Sequence, residues 1–306
     1  MSCRLTRMLD CLDHVIFTAK DLDAASRDLA RLLGRDPSWR GFHPDLGTAN
    51  ALFRLENCYV EILAASGDGI RSRLLRAWIA EKGEGLLGLA FGAADIDACR
   101  QRLADSGLEP GPVDGGHGRD SRSGAQRQWR RIAIPPHRTR GVLLFPIAHD
   151  PSSDELPTMP PRGDERACIH GVDHIVVQTV QPEEARRLYG DALGIRLAVD
   201  REFPQWGVRL MFFRIGGVTV EVAAALGGGA AASVFPGASA GPGEDRLYGL
   251  TWRVRDIEAT HARLEREGFE VSEVRTGRRP DTRVFTVRSG TLGVPTLMIE
   301  LPESKQ

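Results

Sequence analysis

Two histidine–glutamate pairs recur in this chain at one spacing: His14 precedes Glu61 by 47 residues, and His174 precedes Glu221 by 47. A shift of 160 places lays Asp13-His14 on Asp173-His174, Gly34 on Gly194, Gly47 on Gly207, Arg54 on Arg214 and Glu61 on Glu221, without a gap. Such self-similarity marks an internal duplication, which settles architecture before any other feature does. Imidazole and carboxylate are ligands for divalent metals, so the repeated unit is one that can hold an ion. The alternative is a pair of core histidines and of glutamates facing solvent or paired with Arg54 and Arg214. A lone histidine on an apolar strand favours that alternative. Two histidines, each in register with a glutamate, favour the ligand reading.

The elements that must position these residues repeat as well. CLDHVIFTAKDLDAASRDLARLLG reads as an apolar strand followed by an amphipathic helix starting at Asp21. GLLGLAFGAADIDACRQRLADSG repeats the plan from Asp95 to Gly107, and RLYGLTWRVRDIEATHARLEREG repeats it from Asp256 to Gly268. In GVDHIVVQTVQPEEARRLYGDALG the helix starts after Gln181, with Pro182 in its first turn. Counting back seven residues from each helix start finds His14, Gly88, His174 and Gly249. About three strand-like segments follow each helix, among them CYVEILA, GVLLFPI, VTVEVAA and TLMIE. Each unit is therefore a βαβββ module, and the chain holds four. The Pro- and Asp-rich stretch around residues 150–167 reads as a linker between domains at 10–149 and 168–303. ALGGGAAASVFPGASAGPGED reads as a small-residue loop joining units three and four, and GDGIRSRLLRAWIAEKGEG, its counterpart, reads as partly helical.

Bulk properties narrow the function classes. A chain of 306 residues, 42% hydrophobic and 26% charged with a net charge of −1, is expected to be globular, with no general field toward nucleic acid or membrane. No apolar run approaches the roughly 20 residues that span a bilayer. The start lacks an apolar signal region, and the five scattered cysteines lack a CxxC pair, which favours reduced thiols and a cytoplasmic location. The expected partner is a small-molecule substrate, for a monomer or homodimer.

The LDHV and VDHI opening strands, the YVEIL and TVEVA fourth strands and the closing MIEL together resemble the vicinal oxygen chelate superfamily. This group contains glyoxalases, epimerases, fosfomycin and bleomycin resistance proteins and extradiol dioxygenases. The resemblance implies an α+β fold, the glyoxalase/bleomycin resistance/dioxygenase fold, with four βαβββ modules paired into two cupped mixed sheets. It implies ligands from the first and last strand of each module: His14, Gly88, His174 and Gly249 in the first-strand slots, and Glu61, roughly Phe145, Glu221 and Glu300 in the last. The second half is then the better equipped, with His174, Glu221 and Glu300 as metal ligands. The first half keeps only His14 and Glu61.

One histidine and two carboxylates suit Mn, Fe, Zn, Ni, Co or Mg with positions open to substrate. Such an ion acts as a Lewis acid, and the resemblance to glyoxalases implies that Glu221 or Glu300 can serve as base. The leading expectation is a metal-dependent lyase, isomerase or epimerase on a small oxygenated compound. The alternatives are a ring-cleaving dioxygenase, which the glycines at 88 and 249 count against, and a metal-free binding protein of the resistance type. His43, Asn50, Arg54 and Arg214 are candidates to line the cavities. The arginines between His117 and Gly141 read as a solvated hairpin more than an anion site, and Cys99 and His261 as packing or surface residues. Pairing of modules within halves is favoured over a swapped pairing of the first with the fourth, which would bring Glu300 to His14 and Glu61.

Overall fold

A computed structural model of the chain describes residues 8–43, 46–226 and 243–302. Most of the expected small-residue loop, with Cys3, Pro44 and Asp45, lies outside the described residues. Two eight-stranded mixed sheets carry the fold. In the first, the strands are β1 (Cys11–Ala19), β2 (Trp39–His43), β3 (Thr48–Arg54), β4 (Tyr59–Ala65), β5 (Gly85–Gly92), β6 (Val113–Arg119), β7 (Gln126–Ile132) and β8 (Leu143–His149). Their order is β2-β3-β4-β1-β5-β8-β7-β6. The second repeats it with β9 (Ile169–Thr179), β10 (Arg196–Phe203), β11 (Val208–Ile215), β12 (Val218–Ala225), β13 (Arg246–Val254), β14 (Arg275–Thr276), β15 (Arg283–Val287) and β16 (Thr296–Glu300). Opening strands of modules in the same half lie side by side, β1 against β5 and β9 against β13. Pairing is therefore within halves.

Helices start where aspartates accept free backbone N–H groups. Asp21 caps α1 (Leu22–Leu33) through Asp23 and Ala24, Asp95 caps α3 (Ile96–Asp105) through Ala98, and Asp256 caps α5 (Ile257–Arg266) through Ala259. Gly34 ends α1 at φ 73°, in the left-handed region that suits glycine. The third-module helix α4 (Pro182–Arg186) widens into a π-helical turn over Arg187–Ala192. The expected extra helix is α2 (Ile70–Lys82), between modules one and two.

Alternation along the strands sends one set of side chains toward the helices and the other into the cup of each sheet. Val15, Phe17, Val60 and Ile62 join Ile175, Val177, Val220 and Val222 in one apolar core that runs through both halves. Arg263 of α5 fastens the halves: its guanidinium, nearly buried, donates to the carbonyls of Arg31 and Leu32 at the end of α1 (2.5 and 2.8 Å) and of Ala167 (3.0 Å). Arg263→Ala strips three buried acceptors at a helix C-terminus, and we expect denaturant unfolding to show a loss of about 3 kcal/mol. Arg263→Lys should recover little, because an ammonium cannot reproduce the planar fork. Unchanged stability would mean that the interface does not depend on this contact.

The two cups are closed differently. In the first, the edges meet by backbone pairing: Gly41 bridges Asp120, Arg40 N donates to the Asp120 carboxylate (2.7 Å), and Ser121 N donates to Arg40 O (2.8 Å). The first sheet is thus curled into a near-complete barrel. Helix α2 then packs Leu75, Trp78 and Ile79 onto Ile16, Leu63, Leu87 and Phe145. Among the described residues, no backbone pairing joins β10 to β14 in the second sheet. No helix of the described residues is long and apolar enough to cross a membrane.

Candidate functional site

The repeated pairs come together in space. His14 on β1 and Glu61 on the neighbouring parallel strand β4 approach to 3.5 Å between Nε2 and Oε2. His174 on β9 and Glu221 on β12 repeat this at 3.6 Å. In each pair the other ring nitrogen, Nδ1, is held by the preceding aspartate: Asp13 at 2.7 Å and Asp173 at 2.9 Å. A carboxylate on one nitrogen orients the ring and directs the other nitrogen to its partner, the arrangement usual behind metal-binding histidines. The Asp-His dipeptide was visible in the duplication, but nothing in sequence assigned the aspartates this task.

Around these shared cores the halves diverge. His14 is 3% exposed, stacked on Tyr59 with centroids 4.4 Å apart and edged by Phe145 at 5.9 Å. Asp13 also bonds His149 at 3.1 Å, and Asn50 donates its amide N–H to Glu61 at 2.7 Å. Burial opposes the charge on His14, but the bonds and charges of Asp13 and Glu61 outweigh it and raise its pKa to about 9. Burial likewise opposes charge on Glu61, yet His14 and Asn50 hold its carboxyl below the usual range. Asp13 is held far below, against burial, by His14 and His149. The first pair is a compensated ion cluster around a buried histidine.

Glu221 has a different setting. Leu210 stands where Asn50 stands in the first half, and Phe212 and Val176 are its cross-strand neighbours. Burial therefore raises the Glu221 pKa, and the charges of His174 and Arg278 offset it only in part. His174 is raised too, against burial, by Asp173 and Glu221. Thr251 Oγ1 lies 2.9 Å from His174 Nε2, where the first half has Ala90. Sequence reading missed Thr251 because a threonine in a β-strand carries no signal of its own.

Glu300 is not part of this group. Thr251 pairs with Leu297 and Val254 with Glu300, so the cup position corresponding to Phe145 belongs to Leu297. Three residues further along a strand is the opposite face. There Glu300 accepts from Ile257 N at 2.7 Å and stabilises the N-terminus of α5. His174 and Glu221 are therefore brought together and Glu300 lies apart from them, and among the described residues no three His, Cys, Asp or Glu side chains gather in a way that could hold a metal ion. The two glycine slots differ sterically. A Cβ on Gly88 would lie 2.7 Å from Leu143 O, so that position excludes a side chain as the strands stand, whereas one on Gly249 would make a tight contact of 3.1 Å with Pro295 O.

The secondary candidates separate similarly. His43 Nδ1 lies 3.1 Å from Thr48 Oγ1 and its ring edges Trp129 in the first cup. The Arg54 charge acts on Cys11 and Cys58, not on Glu61, whereas that of Arg214 acts on His174. Four arginines of the arginine-rich hairpin pair with carboxylates: Arg130 with Asp97, Arg131 with Asp114, Arg138 with Glu109, and Arg140 with Asp245 of the second half. Cys99 is buried core, and His261 bonds Ser272 O.

Comparison with known proteins bears on this arrangement directly. A model of the glyoxalase-like domain matches residues 12–166, and one of the glyoxalase/bleomycin resistance protein/dioxygenase superfamily matches 173–286. The chain belongs to the vicinal oxygen chelate superfamily. It carries two of the superfamily's domains in tandem, and each match contains one histidine–glutamate pair. No curated protein matches it in sequence. Among solved structures, a 4-hydroxymandelate synthase mutant from Streptomyces coelicolor superposes with a TM-score of 0.64 at 15% identity, over 95% of this chain and 92% of that one. A Mn(II)-bound glyoxalase from Novosphingobium aromaticivorans gives 0.61 at 13% identity, over 95% and 82%. A hypothetical protein from Staphylococcus aureus gives 0.63 at 11%, over 95% and 99%. At these identities the likeness is one of fold.

Proposed function

We propose that this vicinal oxygen chelate protein is a metal-dependent enzyme of the lyase, isomerase or epimerase type, acting on a small oxygenated compound in the second cup. The carrying observation is the asymmetry of two otherwise matched pairs. Glu61 accepts a hydrogen bond from Asn50, whereas Glu221 sits beside Phe212 and Val176 and, among the described residues, His174 Nε2 is its ion-pair partner at 3.6 Å, with the Arg278 charge acting on it as well. An under-compensated buried carboxylate is costly, and a cation beside it removes that cost. His174 and Glu221, with Thr251 adjacent, would hold a divalent ion, and two protein ligands imply a weak, open site. When bound, the ion would supply Lewis-acid polarisation of a substrate oxygen.

The chain's own groups do the rest. Asp173 keeps Nδ1 of His174 engaged and the ring fixed. One carboxylate oxygen of Glu221 would hold the ion, and the other can take and return a proton. With Oε2 toward His174, Oε1 is left for a proton on the substrate. A ring-cleaving reaction on a two-histidine iron site is disfavoured, because the second histidine would be needed at position 249, where glycine has no side chain to offer. Catechol turnover by anaerobically Fe(II)-loaded protein would contradict this. A metal-free binding function is the second reading, favoured by the two-ligand count.

Metal titration separates these readings. Calorimetry with Mn²⁺ is expected to show one weak site that His174→Ala removes and His14→Asn retains. No saturable binding, with His174→Ala unchanged, favours the binding protein.

A further inference from the structure

On the rim of the second cup two stacked rings lie between two guanidiniums. The Arg201 guanidinium lies 5.3 Å from the Phe203 centroid, Phe203 stacks on Trp206 at 4.8 Å and 18°, and Arg278 lies 3.9 Å over Trp206. Trp206 belongs to the β10–β11 turn and Arg278 to the β14–β15 turn, so this contact spans the two edges that backbone pairing leaves apart. Neither Arg201, Arg214 nor Arg278 has an ion pair with a carboxylate among the described residues. In the basic hairpin of the first half, four of seven arginines do pair with carboxylates. Below the rim lie Val176, Leu210, Phe212, Ala223 and Tyr248, an apolar floor. Gln178, on the same face as His174 and Val176 and only 8% exposed, keeps an amide oxygen without a hydrogen-bond partner.

Three unneutralised guanidiniums around an apolar floor, in a chain of net charge −1, are complementary to an organic anion. We propose that the second cup takes a small carboxylate with a flat apolar body, and that Arg278 leaves Trp206 to bind the carboxylate while the body lies over Phe212 and Val176. A guanidinium stacked on an indole is poised for this. The contact is worth little at an exposed site, and a bidentate carboxylate pair replaces it. Arg278 is already near enough for its charge to act on Glu221, so the bound anion would be placed beside the reactive pair. The inference rests on the second cup being the ligand site, but not on which reaction occurs there.

The test is binding, not turnover. Benzoate, phenylacetate and 3-phenylpropionate, each with its primary amide, are titrated calorimetrically and by tryptophan fluorescence, with Trp206→Phe assigning the signal. The expected result is at least one acid bound about tenfold or more tightly than its amide, a preference abolished in Arg278→Gln and partly kept in Arg278→Lys. Equal binding of acids and amides, a preference that survives Arg278→Gln, or no binding of any acid overturns the proposal. Glu221→Gln should retain acid binding while losing proton transfer, so the anion site and the chemistry can fail independently.

Discussion

His14→Ala is expected to destabilise the protein by about 3–5 kcal/mol, the usual consequence of leaving buried charges without their partner. The buried residue lies between Asp13 and Glu61, both half-buried and both held ionised by it. The same cluster fixes the direction of a pH dependence. The His14 pKa rises from 6.5 unfolded to about 9 folded, so its stabilisation is complete below about pH 6.5 and is lost as pH rises through 9. A shift of that size in a buried group corresponds to about 3 kcal/mol. Asp13 and Glu61, with lowered values, contribute the opposite slope at acid pH. Denaturant unfolding in EDTA should therefore show wild-type stability falling between pH 7 and 10, with a flatter profile in His14→Ala. A substitution costing under 1 kcal/mol, or parallel pH profiles, would show that His14 is neutral in the fold.

Glu221→Gln is expected to lower proton transfer about 10²–10⁴-fold, the usual contribution of a positioned general base. The amide keeps the size and polarity of the side chain but cannot accept the proton. Because the carboxylate is buried beside Phe212 and Val176 without the amide donor that Glu61 has, the substitution removes an under-compensated charge, and stability should be unchanged or slightly higher. Loss of activity without loss of stability distinguishes it from Glu61→Gln, which disrupts the His14 cluster. The readout is exchange of a substrate C–H in deuterated water, followed by NMR. A rate within threefold of wild type would remove Glu221 from the chemistry.

Much of the fold could be read from the duplication, because strand alternation, capping aspartates and spacing are local properties that repeat. The Asp21, Asp95 and Asp256 helix starts are of that kind, and so are the His14/Glu61 and His174/Glu221 registers. Glu300 was misplaced because motif likeness does not count strand parity, and a slip of three residues moves a carboxylate from cup to helix face. The features that distinguish the halves were not legible. Closure at Gly41 and Asp120, the packing of α2 on the first cup and the Arg278–Trp206 contact join residues far apart in sequence through the curl of a sheet. Only the backbone course brings such residues together.

In the proposed division of roles between the two matched pairs, the first holds the fold and the second serves a ligand. A crystal of the protein soaked in Mn²⁺, with anomalous scattering measured for the metal, examines both pairs in one molecule. The expected result is a peak between His174 Nε2 and the Glu221 carboxylate, at ligand distances of about 2.0–2.3 Å, with none or a weaker one between His14 and Glu61. A peak at His14 and Glu61 alone would contradict it.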